Sequence, residues 1–128
     1  TGLVSYLLGI QNETQLVSHP LKGALFETFV ISEILKKRFN AGKTDNLFYF
    51  RDNVGNEVDL LIDNGISVDQ IEIKSGQTVN RDYFKGINYF KKLNPDISRS
   101  YIIYGGDQSY IEKDINISSW TNLNKIDF

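Results

Sequence analysis

Three residues of this 128-residue chain have types and spacings suited to chemistry on phosphate. Glu72 and Lys74 stand two apart in Ile71-Glu72-Ile73-Lys74, and Asp59 lies in Glu57-Val58-Asp59-Leu60-Leu61. In both runs charge alternates with apolar residues. In a strand, alternate residues share a face. Glu72 and Lys74 are therefore expected side by side on one strand, with Asp59 beside them on its neighbour and Val58, Leu60 and Ile62 turned the other way. Two carboxylates on one sheet edge suit a hard cation such as Mg²⁺ or Mn²⁺, which binds oxygen and needs only one or two carboxylates besides water. A lysine among them orients or deprotonates a water, or stabilises charge on a phosphate. Together the three suit hydrolysis of a phosphodiester. A solvated polar strand face carrying a Glu–Lys pair is the alternative.

These side chains need a scaffold, and the patterning supplies one. Leu3 to Leu8 is a short apolar segment ended by Gly9, and residues 10–17 read as loop. His19-Pro20 opens a helix running to Phe39, with Leu21, Leu25, Phe29, Ser32 and Leu35 near helical spacing and Lys36-Lys37-Arg38 at its C-terminal end. Residues 46–52, 57–63 and 67–75 read as a three-stranded meander, with a turn at Asn53-Val54-Gly55-Asn56 and a hairpin at Asn64-Gly65. A second helix, about 80–93, buries Tyr83, Phe84, Ile87, Tyr89 and Phe90 and stops at Asn94-Pro95. Residues 100–104 form a fourth strand. It enters by a helical crossover and so is expected to run parallel to the strand before the helix. The order predicts an α/β fold with an α-β-β-β-α-β core, a mixed sheet flanked by helices.

Composition narrows the function classes. One domain spanning 1–128 is expected from the length. There is no Cys and a single His, His19, which excludes thiolate sites, a Cys nucleophile and multi-histidine zinc sites. The net charge of -2 gives no global field toward nucleic acid. Lys36, Lys37, Arg38 and Lys43, with Lys85, Lys91 and Lys92 on the second helix, form local basic clusters suited to a phosphate backbone or to solvated helix faces. Gly42-Lys43-Thr44 is not a phosphate loop, because Lys37 stands where that motif needs its first glycine. No apolar run is long enough to span a membrane and no signal peptide is visible, so the expected location is cytoplasmic. The chain begins Thr1-Gly2-Leu3-Val4 and contains no Met, so it is read as a fragment of a longer protein.

A helical Glu, an Asp on the second strand of a meander and Glu-x-Lys on the third together resemble the PD-(D/E)XK nuclease superfamily, with its restriction-endonuclease-like fold. More narrowly, Gly23-x-x-Phe26-Glu27-x-x-Val30, Tyr49-x-Arg51-Asp52-x-x-Gly55-x-Glu57-Val58-Asp59-Leu60 and Ile71-Glu72-Ile73-Lys74-Ser75-Gly76 resemble one group. That group is the C-terminal domain of unknown function of bacterial and archaeal AAA-type P-loop ATPases. The opening Thr1-Gly2-Leu3-Val4-x-Tyr6-Leu7-Leu8-Gly9 is similar to the start of that domain.

The resemblance implies Asp59, Glu72 and Glu27 as ligands of Mg²⁺ or Mn²⁺ and Lys74 as the catalytic lysine, hence a Mg-dependent endonuclease acting on DNA. Val58 stands where the family often has Pro. Gln77 is the nearest match to a further polar residue that some members carry after the third strand. Any ATP site, and the ATPase domain as partner, would lie upstream of this chain. On the residues alone, Glu27 sits among Leu25, Phe26 and Val30 and needs a partner, a metal or Lys74, unless it lies on a wet rim. Arg51 reads as a phosphate contact or as an ion pair with Asp52 or Glu57, and His19 as a helix-start residue. The rival to hydrolysis is a catalytically silent module that binds DNA or a protein partner for the ATPase.

Overall fold

The two apolar runs that carry the charges become the centre of a sheet. In the computed structural model, which describes residues 2–128, β2 (Glu57–Asp63) and β3 (Val68–Lys74) pair antiparallel through the Asn64-Gly65 turn, where Gly65 takes a φ of 87°. β1 (Leu47–Arg51) lies outside β2. β4 (Ile97–Tyr104) runs parallel to β3, as its helical crossover requires. β5 (Tyr110–Glu112) and β6 (Ile115–Ser119) complete a six-stranded mixed sheet of order β1-β2-β3-β4-β6-β5.

Helices cover both faces. On one lies α3 (Lys22–Asn40), whose Val30 and Ile34, one helical turn apart, pack on Leu60, Ile62, Ile71, Ile73 and Ile103. A 3₁₀ turn at Trp120–Lys125 adds Leu123 and sets Trp120 edge-on against Phe26 and Phe29. On the other face lies α4 (Lys85–Leu93), entered through a 3₁₀ turn at Arg81–Phe84. Its Ile87 meets Ile102, Tyr104 and Ile117, and its Phe90 meets Val58 and Leu61. β3 is buried from Asp69 to Ile73 because both its faces and both its edges are covered.

Four expectations need correction. Residues 10–17 are not all loop, since α2 (Glu13–Ser18) follows the short α1 (Gly2–Leu7). Asn12 accepts the Gln15 amide at 3.0 Å while Gln15 Oε1 accepts the Gln11 amide at 2.7 Å. This is close to a capping box, and Asn-x-x-Gln was its visible signal. The long helix begins at Lys22, after Pro20. β4 begins at Ile97, because Arg99, polar in the sequence, is matched by Asp69 on β3 at 2.6 Å.

The last correction bears on the site. Val58 does not share a face with Leu60 and Ile62. Phe48 pairs with Leu61 and Phe50 with Val58, so two steps along β1 match three along β2. This bulge at Asp59–Leu60 turns Val58 and Leu61 to the α4 face and leaves Leu60 and Ile62 on the α3 face.

The seven cations of the basic clusters are largely committed. Arg38 is buried and donates to the Thr44 carbonyl at 3.1 Å. Lys37 donates to the carbonyls of Leu123, Asn124 and Ile126, and Lys43 pairs with Asp127 at 2.8 Å. The basic end of α3 thus fastens the C-terminal segment. Lys36 pairs with Glu33 and Lys85 with Asp82. No helix among the described residues is long and apolar enough to cross a membrane.

Ile71, fully buried between α3 and the sheet, tests the core. Ile71→Ala is expected to lower unfolding stability by about 2–5 kcal/mol in urea titration. A loss within error of zero would mean that this face is not the core.

Candidate functional site

The bulge creates the site. The β2–β3 ladder ends at the pair Leu60–Ile71, so beyond it the strands separate. The Ile73 amide then has no backbone acceptor on β2, and it donates instead to Asp59 Oδ2 at 2.7 Å. Glu72 and Lys74 do project together from β3. The Lys74 ammonium lies 2.7 Å from Glu72 Oε1 and 3.6 Å from Asp59 Oδ2. Asp59 and Glu72 therefore converge on one cation rather than facing opposite sides of the sheet.

Their environment is dry. Glu72 is 4% exposed, and its Oε2 is buried with no hydrogen-bond partner. Desolvation, then the nearby Asp59 charge, pushes the Glu72 carboxyl up to about 7, although Lys74 opposes both. Burial also raises Asp59 against the Ile73 amide and Lys74, which hold it down. For Lys74 desolvation favours the neutral amine. The bond to Glu72 and the charges of Asp59 and Glu72 outweigh it, and the ammonium ends above its ordinary range.

Glu27 stands one step further out. It is half-buried on α3, whose first turn comes close to the end of β3 at Gly23 and Ser75. It makes no direct ion pair with the described residues. Desolvation, then Asp59, raises its carboxyl, and Lys74 lowers it. The other expected residues lie outside this group. Arg51 is exposed and 3.9 Å from Glu57 Oε2, its cross-strand partner. Gln77 is exposed in the loop after β3. His19, read as a helix-start residue, is the C-cap of α2, and its Nδ1 accepts the Leu21 amide at 3.1 Å in the link to α3.

Sequence reading overlooked Glu57. It adds negative potential at Glu27, Asp59, Glu72 and Lys74 alike. Its place two residues before Asp59 was the available signal. Among the described residues, no three Asp, Glu or His side chains are gathered closely enough to enclose an ion.

Glu72 also makes stability depend on pH. Its folded value of about 7 lies above the ordinary 4.5, so the folded chain holds this proton more tightly than the unfolded one. Its contribution is fully present below pH 4.5 and is lost as pH rises through about 7. Urea unfolding should show wild type losing up to about 3 kcal/mol relative to Glu72→Gln across that window. Parallel pH profiles for the two proteins would count against a buried, proton-retaining Glu72.

No curated protein matches the chain. A family model, Domain of unknown function (DUF4143), matches residues 22–123, from the first residue of α3 into the C-terminal 3₁₀ turn. That span includes Glu27, the bulge with Asp59, and the Glu72-x-Lys74 strand. The chain belongs to the DUF4143 family of domains of unknown function.

Proposed function

We propose that this domain is a PD-(D/E)XK-type, divalent-metal-dependent hydrolase of DNA phosphodiesters, attached to an AAA-type ATPase in a longer cytoplasmic protein. One observation carries the reading. A single ammonium is shared by two buried carboxylates, so one of them has no cation of its own and ionises only at a cost.

The donor set fits Mg²⁺ or Mn²⁺. Asp59 and Glu72 are hard oxygen ligands from adjacent strands, and Glu72 Oε2 has no other partner. Bound there, the ion would supply Lewis-acid neutralisation of phosphate charge.

The chain's own residues do the rest. Lys74, its pKa raised, holds its proton near neutral pH. It therefore acts as a donor that orients the attacking water or stabilises charge on the phosphate oxygens, and not as a base. Glu72 must lose its proton to act as a ligand, so ion uptake would release a proton near neutral pH. Glu27, half-buried and also raised, supports a ligand or accepts a proton from the water.

Calorimetry with Mn²⁺ and a cleavage assay on plasmid DNA test this together. Wild type is expected to bind Mn²⁺, and Asp59→Ala and Glu72→Ala to lose that binding. Lys74→Ala should keep Mn²⁺ but cleave at least about 100-fold more slowly. Mn²⁺ binding that persists unchanged in Asp59→Ala would overturn the reading. Partner binding with no cleavage, indifferent to Glu72→Ala, would favour a silent interaction module.

A further inference from the structure

The helix over the site touches both of its strands at one residue. Gly86, in the first turn of α4, is buried. A Cβ there would overlap the backbone carbonyl oxygen of Glu57 and stand 3.6 Å from Glu72 Oε2. Glu57 begins β2 two residues before the bulged Asp59, and Glu72 lies on β3. So the helix backbone rests on one strand where it has separated from its neighbour and on the buried carboxylate of the other.

Gln70 holds the same turn from below. It is fully buried on β3, two residues before Glu72 and on the same face. Its amide nitrogen donates to the Ile87 carbonyl at 3.2 Å and to Ser100 Oγ at 2.8 Å. A buried amide spent on the carbonyl next to Gly86 fixes the height of α4 over the sheet.

We propose that the first turn of α4 clamps the site, with Gly86 and Gln70 as positioning residues that set Glu72 and the Asp59 bulge against Lys74. The inference rests on reading Asp59, Glu72 and Lys74 as the working site. The backbone contact at Glu57 cannot yield as a flexible side chain would. Any side chain at position 86 must therefore lift α4 or push β2. Lifting α4 opens the space beside Glu72 Oε2, and pushing β2 moves Asp59 away from the Ile73 amide. Removing the Gln70 amide loosens the same turn without adding bulk.

The test uses Gly86→Ala and Gln70→Met, each studied well below its melting temperature. Two readouts are followed: the Ile73 amide resonance with its hydrogen exchange, which needs no metal, and Mn²⁺ affinity by calorimetry. Phe128→Leu, packed against Tyr101 on the α3 face and outside the cluster beneath α4, controls for simple loss of stability. Both site variants are expected to move the Ile73 resonance and to weaken Mn²⁺ binding about 10-fold or more, as loss of outer support does at metal sites. The control should do neither.

An Ile73 resonance and a Mn²⁺ affinity equal to wild type in both variants would overturn the clamp. If wild type binds no Mn²⁺ while the Ile73 resonance still moves, the clamp stands and the metal reading falls. If Gly86→Ala does not fold, Gln70→Met decides by the same two measurements, and an unmoved resonance overturns the proposal.

Discussion

One extra residue in β2 governs this structure. A sheet cannot place a carboxylate against a neighbouring strand's amide while the backbone ladder between them is intact. The bulge at Asp59–Leu60 breaks the ladder just past Leu60–Ile71 and leaves the Ile73 N–H without a backbone acceptor. A buried amide must be satisfied, and Asp59 accepts it at 2.7 Å. That bond anchors one side of the Lys74 cluster, and Glu72 on β3 forms the other.

β3 carries a second buried carboxylate, Asp69, toward its other end, and the contrast is informative. Two nitrogens of Arg99, with Asn64, bond its Oδ2, and although its Oδ1, like Glu72 Oε2, is buried without a partner, Asp69 shares its cation with no other buried carboxylate. Glu72 shares its cation with Asp59. A planar guanidinium with a dedicated partner is how folds secure a buried charge. Two buried carboxylates around one lysine form a site in which one carboxylate has no cation of its own. The first arrangement belongs to the framework, and the second is where a cation or the charge of a reacting group would be welcome.

The framework frees the site by occupying charge elsewhere. The basic C-terminal end of α3 is engaged with the carbonyls and Asp127 of the last residues. Those contacts press the segment containing Leu123 and Phe128 onto the α3-facing core. The helix that carries Glu27 near its start is thereby fixed at its far end. Opposite, α4 is fixed by Ile87 and Phe90, so the two helices hold the separated strands from both faces.

Much of this was legible in the amino-acid sequence, because it rests on local chemistry. Charge set among apolar residues in 57–61 and 71–74, Asn64-Gly65, and the helical spacing before Phe39 determine strands, turn and helix through side-chain periodicity and backbone preference. The same periodicity placed Glu72 and Lys74 on one face. Strict alternation failed at Val58, because a bulge is a relation between two strands and neither strand's sequence records it alone. It also failed at Arg99, polar in a strand until Asp69 from another strand neutralises it. Lys37 and Lys43, two of the lysines that resembled a nucleic-acid patch, hold the C-terminal segment, since a charge's partner is chosen by the fold. Only tertiary structure decided that Glu72 is dry, that one ammonium serves two carboxylates, and that position 86 has no room for a side chain. Each depends on what packs above a residue, and no spacing along the chain encodes that.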